Sequence, residues 1–491
     1  MNAMDLTLDK KGALYEQIAR SLKDKILDGR LAAGSKLPST RDLATALGVA
    51  RKSVLQAYEI LCAEQLAVAR GGSGTRVAAS AAASVAPRRE RARPPSEYAA
   101  RMRQLPPITL ASDRSGPRLK YNLQYGEPLL NPALFNSWRR KLSAAALRAG
   151  PMYPAAGGFL PLRRTLVDYL ARRRGISCSA SDVLIVAGTQ QALTLAERVL
   201  LNPGDPVLIE DPHYQLALHS LLSHGARVIS CRTDAQGLVV RDFPEHPTAL
   251  AYVTPSHQFP SGVTMSITRR MELLAWASRT RCWIFEDDYD TEFHDGKRPL
   301  PALKSLDLAD RVIYVGTFSK TLFPSLRLGY MVCPRGLRDD LFKARLLDDL
   351  GSAAICQAAL AAFIQSGQYE KHLRKSVQEL IDRRRTVVDT LQRTLGQDME
   401  LGPHMGGMHL VVWFRHLTHA QLPALIESAR LQGVGLHSIH PYYRTRPDRP
   451  ALVIGYAGLS KAHLKTAIEI VGRCLADTRK SGTPIQPTGG Y

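Results

Sequence analysis

From Leu14 the apolar side chains return at Ile18, Leu22 and Ile26, a spacing that lays one apolar face along a helix over 14–27. Gly29 and Gly34 punctuate the chain after it. Pro38-Ser39-Thr40-Arg41-Asp42 has the make-up of a helix start, with Ser39 or Thr40 as cap and Asp42 in the first turn. The helix it opens ends at Leu47, before Gly48. A third helix is expected over 50–63, with Val54, Tyr58 and Leu61 turned inward and Arg51, Lys52 and Ser53 at its N-terminal end. Two short helices across a Gly-Val turn have the form of a helix-turn-helix, in which the start of the second helix meets base edges. Two short strands follow, Leu66–Arg70 and Thr75–Val77, joined by Gly71-Gly72-Ser73-Gly74 as a small hairpin or wing.

The pattern then lapses. Ala78 to Pro107 is rich in Ala, Arg and Pro with few bulky residues. That composition predicts a flexible tether, taken as residues 79–120 between a head over 1–78 and a large domain over 121–480. From Tyr121 short apolar runs alternate with helical stretches: Val183–Val186, Val207–Ile209, Val228–Cys231, Leu250–Val253, Trp283–Phe285 and Val312–Val315. The alternation predicts an α/β domain with a mostly parallel, helix-covered sheet. Asp382–Leu395 and His409–Phe414 suggest a smaller α+β subdomain beyond it.

Composition adds bounds. The 491 residues exceed the usual single-domain size, and 45% hydrophobic content supplies a large core. The net charge of +21 makes a polyanionic partner plausible. Residues 1–110 carry 18 Lys+Arg against 10 Asp+Glu, so the excess is spread along the chain and does not locate a face. The seven cysteines are scattered, with no C-x-x-C pair, which fits a reducing, cytoplasmic setting and indicates neither a zinc site nor a disulfide framework. No signal peptide is visible, and no apolar run reaches the roughly 18 residues of a membrane helix.

The candidate chemistry lies at the ends of the predicted strands, where open α/β sheets place their ligands. Tyr314-Val315-Gly316-Thr317-Phe318-Ser319-Lys320 delivers one lysine beyond a strand, and Arg327 follows it. A lysine there can capture an aldehyde and an arginine can clamp a phosphate, which together suggest pyridoxal phosphate (PLP). A solvated loop lysine is the plainer alternative. Gly188-Thr189-Gln190 turns a strand end into a helix start, suited to a phosphate. Ile284-Phe285-Glu286-Asp287-Asp288-Tyr289-Asp290 is an acidic cluster open to two readings. In one, Asp287, Asp288, Asp290 and His294 bind a metal. In the other, a carboxylate pairs with a protonated pyridine nitrogen while a tyrosine donates to the ring oxygen. Thr254-Pro255-Ser256-His257-Gln258-Phe259-Pro260-Ser261-Gly262 is a turn that lines the same pocket or is simply tight.

Two resemblances bear on these alternatives. "KLPSTRDLATALGVARKSVLQAYEIL" with "GGSGTRV" resembles the GntR-type winged helix-turn-helix of bacterial transcription regulators. The resemblance implies that Arg41, Arg51, Lys52 and Ser53, with Gly74 and Thr75 in the wing, contact double-stranded operator DNA. "TPSHQFPSG", "EDDYDTEF" and "GTFSKTLFPSLRLGY" resemble the MocR subgroup, in which such a head is fused to a fold type I aminotransferase-like domain. This implies PLP held on Lys320 as an internal aldimine, Asp287 on the pyridine nitrogen and Tyr289 on the phenolic oxygen. Tyr214 would stack on the ring, Gly188, Thr189, Gln190 and Arg327 would hold the phosphate, and His257 and Ser319 would line the site. Tyr153 would reach the phosphate of the neighbouring subunit in a head-to-tail homodimer.

The pattern departs from working aminotransferases at two positions and from a GABA-responsive member of the subgroup at a third. Phe259 stands where they carry an asparagine, Val453 where they carry a carboxylate-binding arginine, and Leu216 where a GABA-responsive member has another arginine. An amino-acid carboxylate would face apolar walls there. The expected function is therefore a transcription regulator that senses PLP or a small amine without an α-carboxylate, with transamination reduced to a residual half-reaction. A catalytically active aminotransferase with a fused DNA-binding head is the alternative.

Overall fold

The computed structural model describes residues 6, 8, 9, 11–70, 74–79, 94–107, 119–129, 131–147, 154–294, 300–403 and 406–480. The chain divides into two compact units, Met1–Pro95 and Ser96–Tyr491.

In the first unit, helices Leu14–Leu27, Thr40–Leu47 and Arg51–Ala63 close around Ile18, Leu22, Leu43, Val54, Ala57 and Leu61. Ser39 caps the second helix, its Oγ accepting from the Asp42 amide at 3.1 Å, which satisfies one of the free N–H groups of a first turn. Gly48 ends that helix at φ 66°, a left-handed position that glycine adopts without strain. The Tyr58 hydroxyl donates to the Pro38 carbonyl at 2.8 Å and ties the third helix to the entry of the second. Strand Ala67–Arg70 pairs antiparallel with Gly74–Val77, and Ala67 and Val77 join the core. The expected wing is present as these two strands. Gly71, Gly72 and Ser73 lie outside the described residues.

The second unit is built on an eight-stranded sheet. Its order runs Val183–Val186, Gly329–Val332, Val312–Thr317, Trp283–Asp288, Leu250–Val253, Pro206–Asp211, Arg227–Asp234, Gly237–Leu238. The pairings from Val312–Thr317 across to Arg227–Asp234 are parallel, while Gly329–Val332 is antiparallel to both neighbours. Continuous burial on both faces explains why these strands read as unbroken apolar runs. A four-stranded antiparallel sheet, Met399–Leu401, His409–Phe414, Ala451–Gly455 and His437–Ser438, forms the smaller subdomain. It shares a core with helices Gln368–Leu395, Leu422–Leu431 and Lys461–Lys480.

Two features differ from expectation. The stretch assigned to a tether contains a helix, Glu97–Gln104, docked on helix Gln215–His224. Arg101 Nε donates to the Ser223 carbonyl at 2.9 Å and its terminal nitrogen to that of His224 at 3.3 Å. A guanidinium is well matched to carbonyls left unpaired at a helix C-terminus, a partnership that composition alone does not reveal. Second, Tyr121–Asn122 pairs in parallel with Val434–Gly435, so the first strand after the tether belongs to the smaller subdomain.

Candidate functional site

Strand Val312–Thr317 carries the chain to Lys320 at the end of the large sheet. The loop is held tightly. Ser319 N donates to Thr317 Oγ1 at 3.2 Å, and Leu322 N to the Phe318 carbonyl at 2.9 Å. Thr321 receives the Tyr369 hydroxyl at 3.0 Å on its Oγ1 and His372 Nε2 at 2.7 Å on its carbonyl. The Lys320 side chain is half-buried, and its amine sits 4.9 Å from the centre of the Tyr125 ring. Removal from water pushes this amine below the ordinary lysine range, against the opposing pull of Asp290 and Asp287. The neighbouring backbone comes close: a Cβ on Gly126 would lie 3.2 Å from Lys320 Nζ.

Parallel pairing of Val312–Thr317 with Trp283–Asp288 sets Val315 opposite Asp287. Asp287 is buried, accepting from the Tyr252 hydroxyl at 2.6 Å and the Thr189 hydroxyl at 3.2 Å. Burial pushes this carboxyl up to about 7, although both hydroxyls favour the ionised form. On the other side Gly188, at φ 108°, opens helix Thr189–Leu200. A Cβ there would lie 3.5 Å from the Arg327 guanidinium. Arg327 is exposed, and no hydrogen bond or ion pair of its guanidinium occurs among the described residues. Gln190 Oε1 is buried nearby without a partner. Free helix N–H groups beside an unpaired guanidinium make a cradle for an anion.

Tyr214 is the residue before helix Gln215–His224, its ring edge-on to Phe259 with centroids 5.8 Å apart. Phe259 also contacts Tyr125, Tyr442 and His409, which makes it the hub of an aromatic wall. Tyr289 and Asp290 are buried, and Asp290 pairs with His257 at 2.8 Å. Ser319 accepts from the Thr317 hydroxyl at 3.1 Å. Tyr153 lies outside the described residues. Val453 is buried in an apolar cluster against Tyr125, Trp413, Tyr442 and Tyr443, and His437, on the neighbouring strand, is spent on Asn122 at 2.9 Å.

The acidic cluster does not converge as one metal set. Asp287 is taken by Tyr252 and Thr189, and Asp288 by Arg174 at 2.6 Å in a buried pair. Among the described residues the donors that do gather are His257, Asp290 and His409, within 4.8 Å of one another. Donors bound about 2.0–2.1 Å from one zinc sit roughly 3.3 Å apart. The 2.8 Å between His257 Nδ1 and Asp290 is instead the separation of a shared proton. Tyr125, Tyr252, His409, Tyr369 and His372 were not singled out by sequence. Tyr252 lies within an apolar strand run and Tyr125 precedes a glycine, which are weak signals at best.

In the first unit Arg41, Arg51 and Lys52 are exposed, and Ser53 is half-buried in the first turn of its helix. Arg51 Nε donates to Thr40 Oγ1 at 3.2 Å, which links the two helix starts. Gly74 is exposed at φ 89° and Thr75 half-buried.

Residues 14–77 match the gntR family of bacterial regulatory proteins, and residues 119–471 match the aminotransferase class I and II family. The chain is 34% identical over 487 residues to the probable rhizopine catabolism regulatory protein MocR of Rhizobium meliloti, covering 97% of each. The chain belongs to the MocR-type regulators of the gntR family. Two further members are the transcriptional regulator TauR of Rhodobacter capsulatus, 37% identical over 73% of this chain and 76% of its own, and the pyridoxine biosynthesis regulator PdxR of Corynebacterium glutamicum, 32% identical over 81% and 82%. The aminotransferase-type unit also resembles the multiple substrate aminotransferase of Thermococcus profundus, with 26% identity and TM-score 0.68 over 76% of this chain and 96% of that one. A MocR-type chain thus pairs an exposed basic helix start in one unit with a recessed amine in the other. No helix among the described residues is long and apolar enough to cross a membrane.

Proposed function

We propose that this chain is a transcription regulator whose first unit binds operator DNA and whose second unit holds PLP at Lys320 and senses PLP itself or a small amine. The observation that carries the reading is the nearness of Asp287 to both Lys320 and the Gly188–Arg327 cradle, Asp287 accepting from the Thr189 hydroxyl in the first turn of the helix that Gly188 opens. The donor set fits the cofactor: a desolvated amine, a buried carboxyl held by two hydroxyls, and a guanidinium and a buried Gln190 oxygen that have no partner among the described residues. When bound, PLP supplies an aldehyde that a lysine amine captures and a pyridinium ring that withdraws electrons.

Each residue then has a definite task. Lys320 would hold the cofactor covalently through its nitrogen. Asp287, raised by burial in the free protein, would return to the carboxylate beside a cationic ring nitrogen. Gly188, Thr189 and Gln190 offer helix N–H groups, and with Arg327 they would hold the phosphate. Tyr214 would cover the ring face, Tyr289 would donate to the phenolic oxygen, and Ser319 and His257 would close the sides. Tyr153 would serve the neighbouring subunit's phosphate in a head-to-tail homodimer. The apolar surroundings of Val453 favour an effector without an α-carboxylate. In the first unit Arg41, Arg51, Lys52, Ser53, Gly74 and Thr75 would meet DNA, with phosphate contacts fixing position and a few side chains reading bases. The protein would be cytoplasmic.

The effector acts only through a difference in its affinity for two arrangements of the dimer. Binding of the full-length protein to DNA upstream of its own gene, measured with and without PLP, tests this directly. Regulation predicts that PLP, or a small amine added to the PLP-loaded protein, changes the affinity, and equal affinities without ligand, with PLP and with PLP plus a panel of small amines would refute it. Retention of Lys320 and Asp287 also supports a second reading, an active aminotransferase. Steady multiple turnovers with an amino donor and a keto acid would favour it.

A further inference from the structure

His257, Asp290 and Tyr289 form a chain of polar groups beside the Lys320 recess, and the direction of its protons follows from chemistry. Asp290 is buried, and its Oδ2 lies 2.8 Å from His257 Nδ1. A carboxylate only accepts, so Nδ1 carries the hydrogen. The Tyr289 hydroxyl lies 3.3 Å from the same nitrogen. Nδ1 has a single hydrogen, directed mainly at Asp290, so the tyrosine oxygen takes at most the weaker arm of a three-centre bond, and with no lone pair on Nδ1 its O–H cannot donate there. Tyr289 has no other hydrogen-bond partner among the described residues, so its own O–H has no acceptor among them. The Tyr289 ring is edge-on to Tyr125, with centroids 6.3 Å apart, and Tyr125 lies beneath the Lys320 amine.

We propose that His257 and Asp290 are a positioning pair that fixes Tyr289 as a hydrogen-bond donor towards an acceptor oxygen of the ligand held beside Lys320. The identity of that oxygen, the phenolic oxygen of PLP, rests on the reading given above, while the direction of the donor does not.

The surroundings are built to keep the pair in one arrangement. Gly407 is at φ 76°, and a Cβ there would lie 2.8 Å from His257 Nδ1 and 3.0 Å from Asp290 Oδ2. A side chain at this position would therefore split the pair. His409, the next imidazole, donates from Nε2 to the Pro260 carbonyl at 2.9 Å, and burial holds it neutral. It presents a lone pair and no competing positive charge. The other titratable groups around the pair and Tyr289 include Lys320, His294, Tyr125, Asp287 and Tyr252, with Arg174 and Asp288 behind His294. Asp287 is occupied by Tyr252 and Thr189, so it does not take the Tyr289 proton.

Two measurements on the full-length protein test the inference. In the cofactor-free protein with nitrogen-labelled histidine, NMR should report His257 with hydrogen on Nδ1, the signal being assigned by its loss in His257→Asn. Hydrogen on Nε2 alone would overturn the proposal. In the PLP-loaded protein, the pH midpoint of the cofactor absorbance should shift by about one unit in Tyr289→Phe, a tenfold change in proton affinity. His257→Phe should shift it the same way, His257→Asn, which restores an N–H donor, should stay near wild type, and the double Phe variant should match Tyr289→Phe alone. An unshifted midpoint in His257→Phe, or shifts that add, would overturn it. If the wild-type protein takes up no PLP, the cofactor reading fails and the histidine tautomer alone decides the pair.

Discussion

Arg51 and Lys52 in the first unit, and Lys320 in the second, show what surroundings do to a positive charge. The first two project into water from a helix start. They can meet a polyanion at the cost of side-chain freedom. Lys320 is recessed against Tyr125, and desolvation lowers its affinity for a proton. An exposed cation attracts phosphate over a distance set by salt, whereas a desolvated amine gains a usable lone pair and becomes a nucleophile. Arg327 lies between these cases, exposed like Arg51 but turned towards Gly188 within a recess. On the proposed function the same residue class would serve attraction in one unit and covalent chemistry in the other, with burial making the difference.

That contrast can be broken most forcefully at Lys320. In the cofactor-free protein, Lys320→Met should raise thermal stability at neutral pH. The folded-state pKa of this lysine is depressed, so between that value and the ordinary lysine range of about 10.4 the unfolded chain binds more protons. Wild-type stability therefore rises with pH through this window, and the advantage of Lys320→Met should shrink towards zero above it. A gap in melting temperature that does not depend on pH would contradict the desolvated state. Next in size is Arg327→Ala. Loss of charge-assisted hydrogen bonds to phosphate costs about 1.5–3 kcal/mol, so PLP affinity should fall by at least tenfold in an equilibrium titration while DNA binding without PLP is unchanged. For the exposed class, Arg51→Ala should lower affinity for the operator by about 1–3 kcal/mol in a gel-shift assay if it reads a base. If Lys52 contacts only phosphate, Lys52→Ala should weaken all sequences alike and reduce the salt slope by about 0.9. Neither change should alter PLP uptake. The smallest effect is expected from Ser39→Ala, which removes the helix cap and should cost the first unit about 1 kcal/mol in denaturant unfolding.

The two units also differ in how openly the sequence displays them. The first is made of local signals: Ser39 caps its own helix, Gly48 ends it, and Val54, Tyr58 and Leu61 share a face at helical spacing. Its elements could be drawn almost residue by residue. The second unit showed its strands, because burial on both faces leaves unbroken apolar runs; Lys320 and Arg327 stood out by their place after a strand, and the resemblance to known sequences singled out Asp287 within its acidic cluster. Its remaining partners come from long-range pairing. Tyr252 reaches Asp287 from the adjacent strand, His409 arrives from the smaller subdomain, and Tyr121 finds its strand partner at Val434. No local spacing encodes such meetings. The helix Glu97–Gln104 was hidden for a related reason. Its composition is that of a tether, and its place is fixed by Arg101 meeting the end of a helix far along the chain.

The account stands on covalent capture of the cofactor at one nitrogen. Incubating the full-length protein with PLP, reducing it with borohydride and mapping the modified peptide by mass spectrometry tests that claim most directly. The account predicts a single reduced adduct on Lys320, absent from Lys320→Ala. An unmodified Lys320, or labelling spread over exposed lysines such as Lys52, would contradict it.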